Sequence, residues 1–212
     1  MDKKIIIFTG PSLGVNDART VLDADYRPPV KRGDITLVMD ENPDIIGIID
    51  GVFHQQPAVS PREILDAINQ GITVVGSSSM GALRAAELDQ YGMKGIGYVY
   101  EQYANGFLES DDDVAVTLDP DSFEQLSEAL VNINYNFTVA FRQGIINESE
   151  FDELCDVAKS IFYPKRSYDL IFDKVDISSD VLNQLKLFLD VFAIDVKRRD
   201  ALDLLEYIKR LL

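Results

Sequence analysis

Three consecutive serines, Ser77, Ser78 and Ser79, lie between Gly76 and Gly81. A short apolar, β-branched run from Ile72 to Val75 precedes them and reads as a buried strand. Ala82, Leu83, Ala85, Ala86 and Leu88 follow, and all are good helix formers. A strand that turns through small hydroxyl residues into a helix points serine hydroxyls beyond the strand end. It also aims the free N–H groups of the first helical turn at whatever binds there. Nucleophiles and anion sites both use that geometry. The alternative is that the serines only cap the helix.

The elements that must position this turn precede it in the chain. Lys4 to Phe8 is a first strand, and Thr9 to Gly14 turns sharply into a helix that Asn16 can cap, running to about Ala24. Gly10-Pro-Ser12-Leu-Gly14 lacks the spacing and the Gly-Lys-Ser/Thr of a nucleotide P-loop. It reads either as a plain strand-to-helix turn or as a site for an anion or carboxylate. Pro28 and Pro29 force an extended path, so Lys31 and Arg32 are displayed on a stiff segment, and Asp34 can cap a short element through Met39. Asp44 to Asp50 is a second strand whose apolar run is continuous, as expected when both sheet faces are covered. Asp50 therefore stands at a strand's carboxyl end, where open α/β sheets place their sites. Ser60, Pro61 and Glu63 form a capping box that starts a helix to Gln70, ended by Gly71. Three strand ends thus converge on one rim: Gly10 to Ser12, Asp50 to Gly51, and Gly76 to Gly81.

Beyond the serine turn, residues 91–97 read as a loop with three glycines and Tyr98 to Ala104 as a helix. Glu109 to Leu118 reads as an acidic turn followed by a strand; Asp111, Asp112 and Asp113 lack calcium-loop spacing and are taken as solvated. From Asp119 the texture is helical, with starts at Asp119–Ser122 and at Asn147–Glu150. Leu154, Val157, Ala158 and Ile161 form one apolar stripe. Leu182, Leu185, Phe188, Leu189 and Phe192 form another, and Leu202, Leu205, Ile208 and Leu212 a third. These stripes read as core. Lys165 and Arg166 form a basic pair in this half. The expected fold class is α/β: a Rossmann-like, mostly parallel sheet with flanking helices, followed by a C-terminal helical subdomain. The expected division is residues 1–118 as the core and 119–212 as a helical subdomain packed on it.

Composition narrows the function classes. A 212-residue chain with 46% apolar and 26% charged residues can bury a sizeable core. No apolar run is long enough for a bilayer, and no signal-peptide pattern opens the chain. A formal charge of −16 repels nucleic-acid phosphates and suits a basic protein partner. The single cysteine, Cys155, permits no intrachain disulfide, and a cytoplasmic location is expected. His54 is the only histidine, which argues against a multi-histidine metal site and against most histidine-based triads. No metal and no cofactor is expected.

The ordered motifs Gly-Pro-Ser-Leu, Pro-Pro-Val-Lys-Arg-Gly-Asp, Ile-Ile-Asp-Gly-Val-Phe, Arg-Glu-Ile-Leu, Gly-Ser-Ser-Ser-Met-Gly-Ala-Leu-Arg-Ala-Ala-Glu-Leu and Gly-Met-Lys-Gly-Ile-Gly resemble the TfuA-like family, from residue 10 to about residue 116. The resemblance implies an accessory protein of YcaO enzymes, which replace a peptide backbone amide oxygen by sulfur. It further implies hydrolysis of the thiocarboxylated tail of a ThiS-like ubiquitin-fold sulfur carrier, help in engaging the substrate peptide, and a serine–lysine pair as the machinery. Many relatives carry His-Lys-Glu-Ile-Leu where this chain has Pro61-Arg62-Glu-Ile-Leu65. Arg62 cannot act as a general base, so Lys31 is the expected lysine.

On these residues the expected reaction is acyl transfer. Ser79 is the first choice of nucleophile and Ser77 the second, with Lys31 as base and Asp50 orienting the lysine or activating water. The N–H groups of Met80 and Gly81 would hold the oxyanion, Gly10 and Ser12 are further anion-binding candidates, and Arg32, Arg62 and Arg84 are supporting cations. The alternative is a non-catalytic adaptor that docks the carrier and the substrate peptide on YcaO.

Overall fold

The strands Ile5–Phe8 (β1), Asp25–Arg27 (β2), Ile45–Ile48 (β3), Thr73–Ser77 (β4) and Lys94–Ile96 (β5) all pair in parallel, in the order β2-β1-β3-β4-β5. They belong to a computed structural model that describes residues 3–52, 56–118 and 125–212. His54 and the helix start expected at residues 119–122 lie outside the described residues. The chain forms two compact units, one of residues 1–111 with 197–212 and one of residues 112–196.

In the first unit the central strands are apolar on both faces, and helices cover each face. Ile6, Phe8, Ile46, Ile48 and Val74 point into one core, closed by Asp34–Met39 (α2), Pro61–Asn69 (α3) and Met80–Leu88 (α4), following Val15–Val21 (α1) in the chain. Ile5, Ile7, Ile45, Ile49 and Val75 point into the other core. There they meet α1 and, after Tyr98–Ala104 (α5), the returning C-terminal helix. That helix buries Ala201, Leu204, Leu205 and Ile208 against the sheet; Gly47 of β3 lies directly beneath Ile208 and Leu204. The architecture is the α/β, Rossmann-like fold expected from the strand pattern. Its strand order reverses direction between β1 and β3, which makes the carboxyl ends of those two strands the topological switch point.

The second unit packs Leu130–Arg142 (α6), Glu148–Ser160 (α7), Tyr168–Phe172 (α8) and Ser179–Phe192 (α9) around Phe137, Leu154, Ile171, Leu185 and Phe188. Val196–Lys209 is α10, and all but its first residue belongs to the first unit. Asn132 and Asn136, one turn apart on α6, grip the segment that precedes α10. Asn136 accepts from the Ile194 N–H (2.8 Å) and donates to its carbonyl (3.1 Å), while Asn132 accepts from the Val196 N–H (3.0 Å). No helix among the described residues is long and apolar enough to cross a membrane.

Local expectations hold where a cap is strong. Ser60 with Glu63 and Asn147 with Glu150 both form complete capping boxes. They fail where tertiary contacts decide. The N-cap of α1 is Gly14 rather than Asn16, because the helix begins two residues earlier. No strand forms at Val114 to Leu118; residues 111–113 make a 3₁₀ turn and only Leu118 pairs, in one bridge to Gln125. The acidic turn is not simply solvated either. Asp113 is buried, and Asp112 accepts from Arg166 through both its carbonyl (3.1 Å) and its carboxylate (2.6 Å). Arg166, read as half of a surface basic pair, is fully buried and also donates to the Ala158 carbonyl (3.1 Å).

Arg166 is buried but the Asp112 side chain is 35% exposed, so water can take over part of what the arginine gives it. Arg166→Met removes donors from the Ala158 and Asp112 carbonyls as well, and is expected to destabilise the second unit by about 2 kcal/mol. Urea unfolding followed by circular dichroism measures this; an unchanged midpoint would mean that the Arg166–Asp112 contact carries no net stability.

Candidate functional site

The serine turn owes its shape to the two glycines that bracket it. A Cβ at Gly81 would strike the Ile48 carbonyl, and one at Gly76 would strike the Gly81 carbonyl. With hydrogen there instead, α4 starts hard against the end of β3. Ile49's carbonyl then accepts from both the Ser79 and Gly81 N–H groups, at 3.3 Å each. Gly81 is thus engaged, which leaves Met80 as the one of the two expected oxyanion donors whose N–H has no acceptor among the described residues.

The three serines differ. Ser77 ends β4, and its hydroxyl donates to the Asp200 carbonyl at 2.8 Å. Ser78 adopts φ +68°, a left-handed conformation that costs a non-glycine residue energy, and its buried Oγ has no hydrogen-bond partner. Ser79 occupies the N-cap position of α4 but makes no side-chain cap. The capping role that would explain all three hydroxyls is absent. All three residues are nonetheless at most 1% exposed.

At the switch point, Asp50 is fully engaged. Its carboxylate accepts from the Gly10 N–H (2.8 Å), the Ser12 N–H (3.1 Å) and the Ser12 hydroxyl (2.7 Å). The loop donors expected to meet an external anion are directed at this internal carboxylate. Val30 pairs with Gly51, and Gly51 faces the side chain of Met80. The end of β3 thus lies between the lysine loop, which bridges it at Val30, and the start of α4 at Met80.

Lys31 and Arg32 are exposed on that loop. The loop is held by main-chain bonds: Lys31 N–H to Asp34 (3.0 Å), Arg32 N–H to the Pro57 carbonyl (2.9 Å), and Gly33 N–H to Glu63 (2.6 Å). Glu63 closes a capping box and fixes the basic loop at once, a second role that spacing alone does not reveal. Lys31 also lines a cavity of about 410 Å³ with Phe8, Arg27, Pro29, Val38 and Val52. Arg62 is exposed at the start of α3. Arg84 is occupied, donating to the Val59 carbonyl (2.9 Å) and pairing with Glu87 (2.7 Å). Burial, with Asp152 and Asp156 nearby, pushes the Cys155 thiol up to about 12, so it supplies no thiolate at neutral pH.

Asp200 was not foreseen. It comes from the second turn of α10, yet it sits at the ends of β4 and β5. Its carbonyl takes the Ser77 hydroxyl, and its Oδ2 accepts from the Val99 N–H at 2.7 Å. Gly97, at φ +93°, leaves room for this carboxyl where a Cβ would collide with it. The available signal was an aspartate on the apolar stripe of an amphipathic helix, aligned with Ala201, Leu204 and Ile208. Its Oδ1 has no hydrogen-bond partner, and burial raises its pKa from 3.8 to about 6, against the lowering effect of the Val99 N–H.

Two expectations follow. A raised carboxyl pKa contributes stability that is present below the ordinary value and is lost as pH rises through about 6. Asp200→Asn has no such loss, so its stability relative to wild type should increase from pH 4 to pH 7, by at most about 3 kcal/mol. Urea midpoints across that range measure it, and parallel curves would refute it. Gly81→Ala should push α4 off β3 and destabilise the first unit by about 3 kcal/mol; an unshifted melting temperature would contradict this packing.

A protein-family model described as TfuA-like protein matches residues 50–167. No curated protein matches the chain. The matched span begins at Asp50 beside the switch point, includes the whole serine turn and ends at Ser167. It covers more than half of the sequence, and the chain belongs to the TfuA-like family.

Proposed function

We propose that this protein serves YcaO-dependent backbone thioamidation by releasing sulfide from the thiocarboxylated tail of a ThiS-like carrier. Family membership supports an accessory role beside YcaO in general. The hydrolytic reading rests on one observation above others: the strand-to-helix serine turn holds Ser78 at positive φ with an unpartnered hydroxyl. A strained serine between strand and helix is the arrangement of a nucleophile elbow. Ser79, next in the chain, remains the other candidate nucleophile, while the Ser77 hydroxyl is held by Asp200.

In the proposed reaction the serine oxygen bonds to the thiocarboxyl carbon, and its proton passes to Lys31. The carbon–sulfur bond breaks with its electron pair on sulfur, which takes the proton back from Lys31 and leaves as hydrosulfide. Water then cleaves the acyl-serine, restoring the hydroxyl and leaving the carrier with a carboxylate. Arg32 gives the anionic tail a positive charge to land on in a protein of net charge −16, and Lys31 is kept for the base. The cavity beside Lys31 accommodates the tail's last residues, and the Met80 N–H is available to the oxyanion. Asp50 organises the Gly10–Ser12 loop under this site.

The near-complete burial of the serines favours a second reading, a non-catalytic adaptor that binds the tail through the exposed cations alone. Sulfide release and intact carrier mass, measured with purified thiocarboxylated ThiS, separate the two. Hydrolysis is expected from wild type, with a loss of about 10³-fold or more in Ser78→Ala. A loss confined to Ser79→Ala would move the nucleophile one residue. Lys31→Arg keeps the charge and removes the base, so it should bind the tail yet not turn over. No conversion by any form, with YcaO activity still dependent on the protein, would establish the adaptor.

A further inference from the structure

Helix α9 is apolar on two sides. Its inner stripe of Leu185, Phe188 and Leu189 is buried in the second unit. Its outer face carries Leu187 and Val191, one turn apart, at 67% and 71% exposure, and Ile194 continues that line just past the helix end. Phe192, read from the sequence as core, is 60% exposed and lies against Phe188 with its ring tilted by 32°, where the inner stripe runs out. These residues make a continuous apolar patch over the last two turns of the helix. Contiguous exposed patches of this kind mark interaction surfaces.

Charge decides what can cover the patch. Between Asp112 and Val196 the sequence places 17 Asp and Glu against 6 Lys and Arg, so this unit carries most of the protein's negative charge. At the patch itself Asp190 is exposed between Leu187 and Val191, and Asp195, which accepts from Asn132, is exposed next to Ile194; Lys186 is exposed beside Leu187, and Asp180 lies at the other end of the helix. A second copy of the chain would bring one acidic rim against another, with repulsion added to desolvation. A basic segment would meet opposite charge around an apolar centre.

We infer that the outer face of α9 is a docking surface for a basic amphipathic helix of a partner protein. Its apolar residues would lie across Leu187, Val191 and Ile194, with Lys or Arg at the acidic rim. Two amphipathic helices would pack face to face, with apolar anchors at i and i+4 carrying affinity and charge setting orientation.

The test uses the full chain and two fluorescein-labelled synthetic helices of about 18 residues, one of Leu and Lys and the other of Leu and Glu. Fluorescence anisotropy should show the Lys peptide binding wild type, with the Glu peptide at least about tenfold weaker and affinity falling as salt rises from 50 to 300 mM. Leu187→Ser with Val191→Ser changes only exposed positions, so the fold should persist by circular dichroism. Binding of the Lys peptide should weaken about tenfold or more in this variant. Equal binding by wild type and variant, or no binding by wild type, would overturn the inference. So would sedimentation showing a wild-type dimer that the double variant converts to monomer, since the occupant would then be a second copy.

Discussion

The contact on which the site depends is the approach of one backbone to another, where α4 begins against the end of β3. A helix N-terminus leaves N–H groups without intrahelical partners, and when buried each needs an acceptor. Ile49's carbonyl supplies one to Ser79 and Gly81 together. That geometry exists only because Gly76 and Gly81 bring no Cβ into the gap. Once the helix starts there, only Ser78 and the N-cap Ser79 join β4 to α4, and Ser78 takes the left-handed conformation that the tight turn requires. The strain at Ser78 is thus a consequence of packing two residues away. Larger residues at either glycine would relax the turn and displace the helix.

The same rim is fastened from two distant parts of the chain. Asp50 gathers the Gly10–Ser12 loop with three hydrogen bonds, and Asp200 ties the ends of β4 and β5 to α10. Both carboxylates are almost inaccessible to solvent, but their surroundings differ. Asp50 meets two N–H groups and a hydroxyl. Asp200 keeps one oxygen without a hydrogen bond, 3.7 Å from the Arg199 guanidinium, and burial dominates its ionisation.

Much of this arrangement was legible in the sequence. The three central strands announce themselves as continuous apolar runs, and their ends gave the correct rim. The edge strands β2 and β5 did not. Each has three residues, Asp25-Tyr-Arg27 and Lys94-Gly-Ile96, and takes its extended form from pairing with a central neighbour rather than from its own pattern. Capping boxes were readable because donor and acceptor lie three residues apart. The partner of Ser77 lies 123 residues away in another helix, and no local spacing encodes it. For the same reason the sequence could single out a serine turn without ranking its members: φ at Ser78 and the unpartnered hydroxyl appear only once β3, β4 and α4 are assembled.

The three serines of the turn are shielded, while Lys31, Arg32 and Arg62 are exposed. On the proposed reading, a passing ester or amide would meet no accessible hydroxyl. An anionic tail would be attracted first by the basic loop, and only a ligand held there would have reason to displace the packing over the serines. The loop's main chain is pinned by Asp34, Pro57 and Glu63, while the side chains of Lys31 and Arg32 reach solvent. Discrimination under the proposed reaction would then rest on the binding free energy available to open the turn, which favours a tethered carrier over free small molecules.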